Sequence, residues 1–402
     1  MLSNIKNLRI LLGIAIIAII ALIVTMFFIT RESAEEINSE LYYSTINKLP
    51  SEIKEGFDAE IVSNKYQNGE GVIKFDGVLT KIENNPFESF LTSVTIPDGV
   101  VEIGEKAFFR QVYMSHVAIP KSVKKIEDNA FFACKALTHI TIPDSVTEIG
   151  HGAFLSCEKL YDITLPKGGV IINKKAFSNC DSLKSITIPD GTILIGNPFS
   201  SCSSLKEFRG PFSAENGRCL IVDNCLVAFA PDGVKEFIIP DYITSIGDSS
   251  FWDAIDLMYI TIPNSVTFIG DCAFQGCENI RALTIPDSVE TIEDGAFMAC
   301  KNIRSLTLEN GIKTIGANAF WGCENIVSVT IPESVTTIEY PFNNCKRLES
   351  VYCKAVTPPA GGLLYFEGTD IEVLYVPNEA VDAYKNARGW QIYADVIVGY
   401  DF

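Results

Sequence analysis

The sequence predicts a mainly β solenoid of about 11–12 coils, opened by a β-hairpin cap and preceded by one N-terminal transmembrane helix. Three regularities carry the solenoid. Proline follows Ile or Leu at Pro97, Pro120, Pro143, Pro166 and Pro189, and again at Pro240, Pro263, Pro286 and Pro332, in steps of 23 residues within each run, with Glu309 in the slot that lacks one. Ala-Phe or a variant recurs at Phe108, Phe131, Phe154, Phe177 and Phe199, then at Phe251, Phe274, Phe297, Phe320 and Phe342. Cysteines form a third column, Cys134, Cys157, Cys180 and Cys202, later Cys277, Cys300, Cys323 and Cys345. Self-similarity at a fixed interval marks stacked units, none of which buries its apolar face alone.

One unit, from Leu137, reads LTHITIPDSVTEIGHGAFLSC. Ile140, Thr141 and Ile142 alternate apolar, polar, apolar, as a strand with one buried face does. Proline ends that strand. Val146 and Ile149 turn inward around a second short extended segment, and Ala153, Phe154, Cys157 and Leu160 close the coil. Asn197-Pro198-Phe199 and Tyr340-Pro341-Phe342 each read as a turn shortened by one residue, since the cysteine column shifts by one with them. Rungs about 4.8 Å apart bury each column against the next, so stability is a sum of units and interfaces.

Between about residues 90 and 350 these columns resemble the BspA-like (treponemal-type) leucine-rich repeats. The resemblance implies a right-handed solenoid on a secreted or surface-exposed bacterial protein, with adhesion to host or neighbouring-cell proteins as a usual role.

Upstream, Ile10 to Ile29 is an uncharged run of twenty residues. At about 1.5 Å per residue it crosses a hydrocarbon core of roughly 30 Å. A cleaved signal peptide is the competing reading, but its apolar core runs about 7–15 residues and ends at a small-residue site, whereas Thr30, Arg31 and Glu32 follow here. Lys6 and Arg9 precede the run and Glu32, Glu35 and Glu36 follow it, which places residues 1–9 in the cytoplasm and the repeats outside.

Residues 30–70 read as a juxtamembrane linker in which Ser33 to Lys48 forms a helix, opened by a capping box of Ser33 with Glu36. Residues 71–90 read as the N-terminal hairpin cap, with Val72 to Ile82 turning at Asp76-Gly77. Two runs of repeats follow, 91–211 and 240–353. Between them, 212–239 is irregular: Pro211 and Pro240 are 29 residues apart, the segment is read as lacking the Ala-Phe column, and Cys219 to Phe229 reads as a second hairpin turning at Asp223-Asn224. Residues 354–402, with Ala380, Tyr384 and Ala387 at helical spacing before Trp390, read as the C-terminal cap.

The net charge of −18 argues against nucleic acid as a partner, because phosphate binding needs clustered Lys and Arg. No Gly-x-Ser-x-Gly elbow, His-Glu-x-x-His or phosphate-cradling glycine loop is present, so neither an enzyme nor a cofactor is expected. The cysteine column shares its register with apolar or small residues and reads as a ladder of buried thiols, with disulfides or metal as alternatives. Cys272, outside the column, is expected to be the most exposed thiol. His116 and His139 share the outward register of adjacent strands, with Asp162 on the next rung, a column able to take a divalent metal. Solvated polar residues are the plainer reading, since nothing evident orients the imidazoles.

What remains is binding of a protein partner from a host or from the cell's own envelope, as adhesion or ligand recognition. A structural or scaffolding role in the envelope, with a partner in the same membrane, is the alternative. The candidate surface comes from exceptions to the repeat. The register two before proline is usually Thr, but Arg209, Ile238, Tyr352 and Tyr375 depart from it. The slots four and five after proline are usually polar, yet become Val170, Ile171 and Ile193, Leu194 in adjacent units. These four predict a small exposed apolar patch of the kind that marks a partner site; the alternative is that the nearby hairpin or a kink covers them.

Overall fold

The computed structural model describes residues 39–48, 51–88, 90–362 and 365–402. They form a β solenoid of about 14 turns with almost no helix, more than the 11–12 expected. The surplus lies at the ends, where turns lack the Ile-Pro and Ala-Phe marks yet still pair: Lys81–Ile82 with Glu102–Ile103, and Ala360–Gly361 with Thr337–Ile338. Residues 1–9 and the apolar run Ile10 to Ile29 lie outside the described residues. Among those described, no helix is long and apolar enough to cross a membrane.

Each regular turn carries two strands in separate sheets. The longer, such as His139–Thr141, pairs in parallel one period on, Ile140 opposite Ile163, while the shorter, Glu148–Ile149, sets Ile149 between Ile126 and Ile172. His139 and Thr141 face out and Ile140 is buried, as the pleat requires. The Pro143 carbonyl then accepts the Val146 N–H at 3.0 Å, turning the chain toward the shorter strand.

On the third side the phenylalanine rings stack along the axis. Phe131 and Phe154 lie 5.0 Å apart with 5° between planes, and Phe274 and Phe297 lie 5.0 Å apart at 4°. The stack runs unbroken from Phe87 to Phe199 and from Phe251 to Phe366. Beside it each column cysteine donates its S–H to a phenylalanine carbonyl of the preceding turn, Cys157 to Phe131 at 3.3 Å and Cys300 to Phe274 at 3.2 Å. Burial pushes the thiols of Cys157, Cys202 and Cys345 up to about 12. They are therefore protonated and poor nucleophiles at neutral pH. Cys225 and Cys272 alone among the cysteines are half-buried.

Two expectations at the N-terminal end are corrected. Glu40–Thr45 is a strand, not part of a helix, inserted antiparallel between Glu70–Asp76 and Leu91–Thr95. Leu41, Tyr43 and Thr45 alternate into the core, so the period-2 pattern and its sheet partners override the upstream capping signal. The hairpin turns earlier than predicted, joining Glu60–Gln67 to Glu70–Asp76 at Asn68 and Gly69 with φ of 55° and 91°, which suits a primed turn. Gly71 lies under the Tyr43 ring, where a Cβ would come within 2.2 Å. Gln111 occupies the first cysteine slot; its buried side chain accepts the Leu91 N–H at 2.7 Å and donates to Asn85 Oδ1 at 2.8 Å, tying cap to array.

At the other end the short helix Val381–Asn386 aims Tyr384 at the core, where its hydroxyl donates to the Ala355 carbonyl at 2.8 Å. Trp390 Nε1 donates to the Pro359 carbonyl at 2.9 Å, and its ring sits 4.6 Å from that of Tyr365. These large buried side chains close the last turn.

Candidate functional site

The array breaks where the hairpin predicted from Cys219 to Phe229 stands. Ser213–Ala214, Cys219–Val222 and Cys225–Phe229 form an antiparallel ribbon, turning at Asp223 and Asn224 with φ of 50° and 60°. Cys225 and Leu226 also pair in parallel with Ser245 and Ile246, taking the short-strand place of that turn. The apolar core divides here into two clusters, Phe208 and Leu220 in the first, Leu226 and Phe229 in the second. The Ala-Phe column expected to be absent here is taken up by Ala228-Phe229: the Phe229 N–H donates to the Ser250 carbonyl at 3.0 Å and its ring lies 4.6 Å from that of Phe251, tilted by 33°. Past Phe229 the chain runs directly to Glu236–Ile238, and the neighbouring turns close over the gap. Across 52 residues, Asn197 Nδ2 donates to the Ser249 carbonyl and Ser201 Oγ to Asp253 Oδ2, both at 2.8 Å. The Lys175 ammonium lies 4.9 Å over the Trp252 ring.

Burial pushes the Asp253 carboxyl up, opposed by the Ser201 hydroxyl and aided by the charge of Glu278. A carboxylate raised on folding destabilises the native state above its folded value, and the cost disappears at a pH low enough to protonate both states. Asp253→Asn, which keeps an acceptor for Ser201, is therefore expected to raise Tm at pH 7 and leave it unchanged near pH 3. A lower Tm at pH 7, or an equal gain at both pH values, contradicts this account.

The structure brings together part of the predicted patch. Ile171 is half-buried and pairs with Ile193, which is 56% exposed. Val170, expected on the surface, is 3% exposed. It fills the inward place left by Gly169, which stands in register with Val146, has no side chain, and at φ 85° carries a Cβ direction blocked by the Gly191 backbone at 2.3 Å. The strict period sets Ile195 opposite Ile172 in the buried column, but Ile172 pairs with Leu194 instead. A one-residue slip exchanges the faces: Leu194 packs on the core and Ile195 stands 48% exposed. The residue missing from this unit is thus lost between Pro189 and Ile193, and the turn before Phe199 keeps its full length. At Tyr340-Pro341-Phe342 the turn itself is short, because Ile338 stays in register with Ile315.

Ile193 and Ile195 share one face of the strand end, and Ile193–Leu194 is the edge of its six-stranded sheet. The hairpin strands belong to a different sheet and do not pair with it. Arg209 and Ile238 lie apart from this cluster, on the long-strand side. Arg209 ion-pairs with Glu207 of its own strand, and Ile238, 64% exposed, pairs with Thr261. Their two strands are not neighbours, because the Phe208 N–H is taken by the Gly217 carbonyl at 2.7 Å. Tyr352 and Tyr375 stack 4.6 Å apart near the C-terminal end.

His116 and His139 face outward with ring centroids 5.6 Å apart, and Asp162 is in register with His139. His139 Nδ1 hydrogen-bonds Thr138 Oγ1 at 3.1 Å. Among the described residues no group of three or more His, Cys, Asp or Glu is arranged to hold a metal ion.

Parallel two-sheet turns at a 23-residue interval around stacked phenylalanines define a leucine-rich-repeat solenoid. The chain belongs to the BspA-type leucine-rich repeat family: residues 80–206 and 226–353 match the BspA type leucine rich repeat region, in 6 copies. No curated protein matches the chain in sequence. Among solved structures it is similar to the pneumococcal vaccine antigen PcpA, 19% identical over 85% of this chain and 89% of that one, with a TM-score of 0.56. A leucine rich cell surface protein from Faecalibacterium prausnitzii is 23% identical over 84% and 85%, with a TM-score of 0.50. A leucine-rich repeat protein from Bacteroides ovatus is 27% identical over 85% and 90%, with a TM-score of 0.49.

Proposed function

We propose that the chain is a membrane-anchored surface protein that recognises another protein at the break in its array, in adhesion or ligand recognition. The observation that carries this reading is the pair Ile193 and Ile195, 56% and 48% exposed on one face of a sheet edge, with half-buried Ile171 and Leu194 beside them. Contiguous exposed apolar side chains next to an interruption are what a partner buries. The apolar run Ile10 to Ile29, with basic residues before it and acidic ones after, supplies the anchor in this reading and leaves the repeats outside the cell.

The test is capture by the full chain of extracellular matrix proteins on one arm and of the cell's own envelope proteins on the other. Capture of matrix proteins that is lost in Ile193→Ser/Ile195→Ser, with the melting transition unchanged, is the expected result. Capture confined to envelope proteins replaces adhesion with the scaffolding role. Undiminished capture by the double variant sinks the site.

A further inference from the structure

The outer strand ladder opens twice in the first run, between His116–Ala118 and His139–Thr141 and again between Asp162–Thr164 and Ser185–Thr187, each pair lying in different sheets; the first opening is the one that exposes its apolar residue. One turn earlier the Ile96 N–H reaches the Ala118 carbonyl at 3.4 Å, and one turn later the Ile142 N–H reaches that of Thr164 at 2.9 Å. Among the described residues no such bond joins Ile119 to Thr141. Ile119 is half-buried, while its counterparts Ile96, Ile142 and Leu165 are 3%, 1% and 5% exposed. Ala118 widens the opening, since it stands where threonine is the rule. The result is a groove of about 670 Å³ with an apolar floor that includes Ile119, Ile142 and Leu165.

Its rim carries the second exception. The residue after each repeat proline is Asp, Glu or Asn throughout the array, from Asp98 to Glu333, apart from Lys121 and Lys167. Both lysines line this groove. Several lysines elsewhere reach a glutamate on a neighbouring turn, as Lys135 does Glu158 and Lys313 does Glu290. Lys121 and Lys167 have no carboxylate within ion-pairing distance among the described residues. Asp144 stands between them, its Oδ1 already accepting the Lys167 backbone N–H at 3.0 Å. His116 and His139 complete the wall with ring faces and N–H donors.

We propose that this groove binds an extended acidic peptide in polyproline II form, with carboxylates three residues apart. Lys121 and Lys167 are two rungs apart, about 9.6 Å along the axis, and one polyproline II turn advances about 9.3 Å. Successive third-position carboxylates therefore meet the two ammonium groups while the residues between them cover the apolar floor. In a chain of net charge −18, a local excess of cations around an apolar floor selects against most surfaces and for this one chemistry.

The test uses the full chain in detergent and a fluorescein-labelled peptide of repeated Glu-Pro-Pro, read by fluorescence polarisation, with the Gln-Pro-Pro peptide as control. Saturable binding of the glutamate peptide alone is expected. Lys121→Asp/Lys167→Asp restores the residue usual in that slot, so folding is retained, and it should weaken binding by about tenfold or more. Lys124→Asp/Lys184→Asp makes the same charge change outside the groove and should leave binding within about twofold. Equal loss in both double variants, equal binding of the glutamine peptide, or heparin binding in place of the peptide with the same dependence on Lys121 and Lys167 overturns the proposal. Because none of these residues belongs to the Ile193 and Ile195 cluster, its failure and that of the proposed partner site are separable.

Discussion

Phe297→Ala is expected to cost about 3–5 kcal/mol and to split the unfolding transition. The ring is fully buried between Phe274 at 5.0 Å and Phe320 at 5.3 Å, almost parallel to both. Its removal leaves two faces uncovered, one in each adjacent interface. The backbone cannot close the void, because the Phe274 N–H is held by the Ala296 carbonyl and the Phe297 N–H by the Ala319 carbonyl, each at 2.7 Å. In a linear array each unit contacts only its neighbours, so weakening two successive interfaces separates the turns on either side. Denaturant unfolding followed by both tryptophan emission and far-UV dichroism should give non-coincident curves in the variant. A loss below about 1 kcal/mol with coincident curves would show that the ring stack is not a main source of cohesion.

Asn197→Leu is expected to cost about 1–3 kcal/mol by leaving the buried Phe199 N–H unpaired and taking one of two donors from the Ser249 carbonyl, which keeps the Trp252 N–H at 3.2 Å, although it conserves side-chain volume. Asn197 is 4% exposed; its Oδ1 accepts the Phe199 N–H at 2.8 Å while its Nδ2 donates to the Ser249 carbonyl at 2.8 Å. That second bond bridges the turn the irregular unit omits, so its loss falls on the joint between the two runs. Hydrogen exchange should speed up around Phe199 to Cys202 and around Ser249 to Ala254 in the variant, with the middle of each run protected as before. Unchanged exchange at both places would mean that Ser201, Asp253 and the hairpin hold the joint without it.

Much of the first run was readable because its inward positions repeat. Ile140, Val146, Ile149, Phe154 and Cys157 are all buried where the columns put them. The readings that needed correction concern registers. Val170 and Leu194 sit in slots polar in most other units, and each turns inward because the pairing of that turn with its neighbours differs by a residue or a glycine. Ile195 carries the clearest exposed apolar side chain of the cluster after Ile193, yet the bare period assigns it to the core. Lys121 and Lys167 were visible as exceptions to the acidic slot, but nothing in the sequence marked the opening of the ladder beside them. For Glu40–Thr45 the alternation of Leu41, Tyr43 and Thr45 was a strand signal that the capping pair obscured.

By itself the sequence determined the repeat interval, the inward columns, the break after Pro211 and membership of the repeat class, because alternation and interval are properties of one unit and its immediate copy. Tertiary structure alone decided the register across the break, the exposure of Ile195, the burial of Val170 and the bridge from Asn197 to Ser249. Those depend on which backbone groups find partners on a neighbouring turn, and where a turn is omitted the partner lies 52 residues away, beyond the reach of any local pattern.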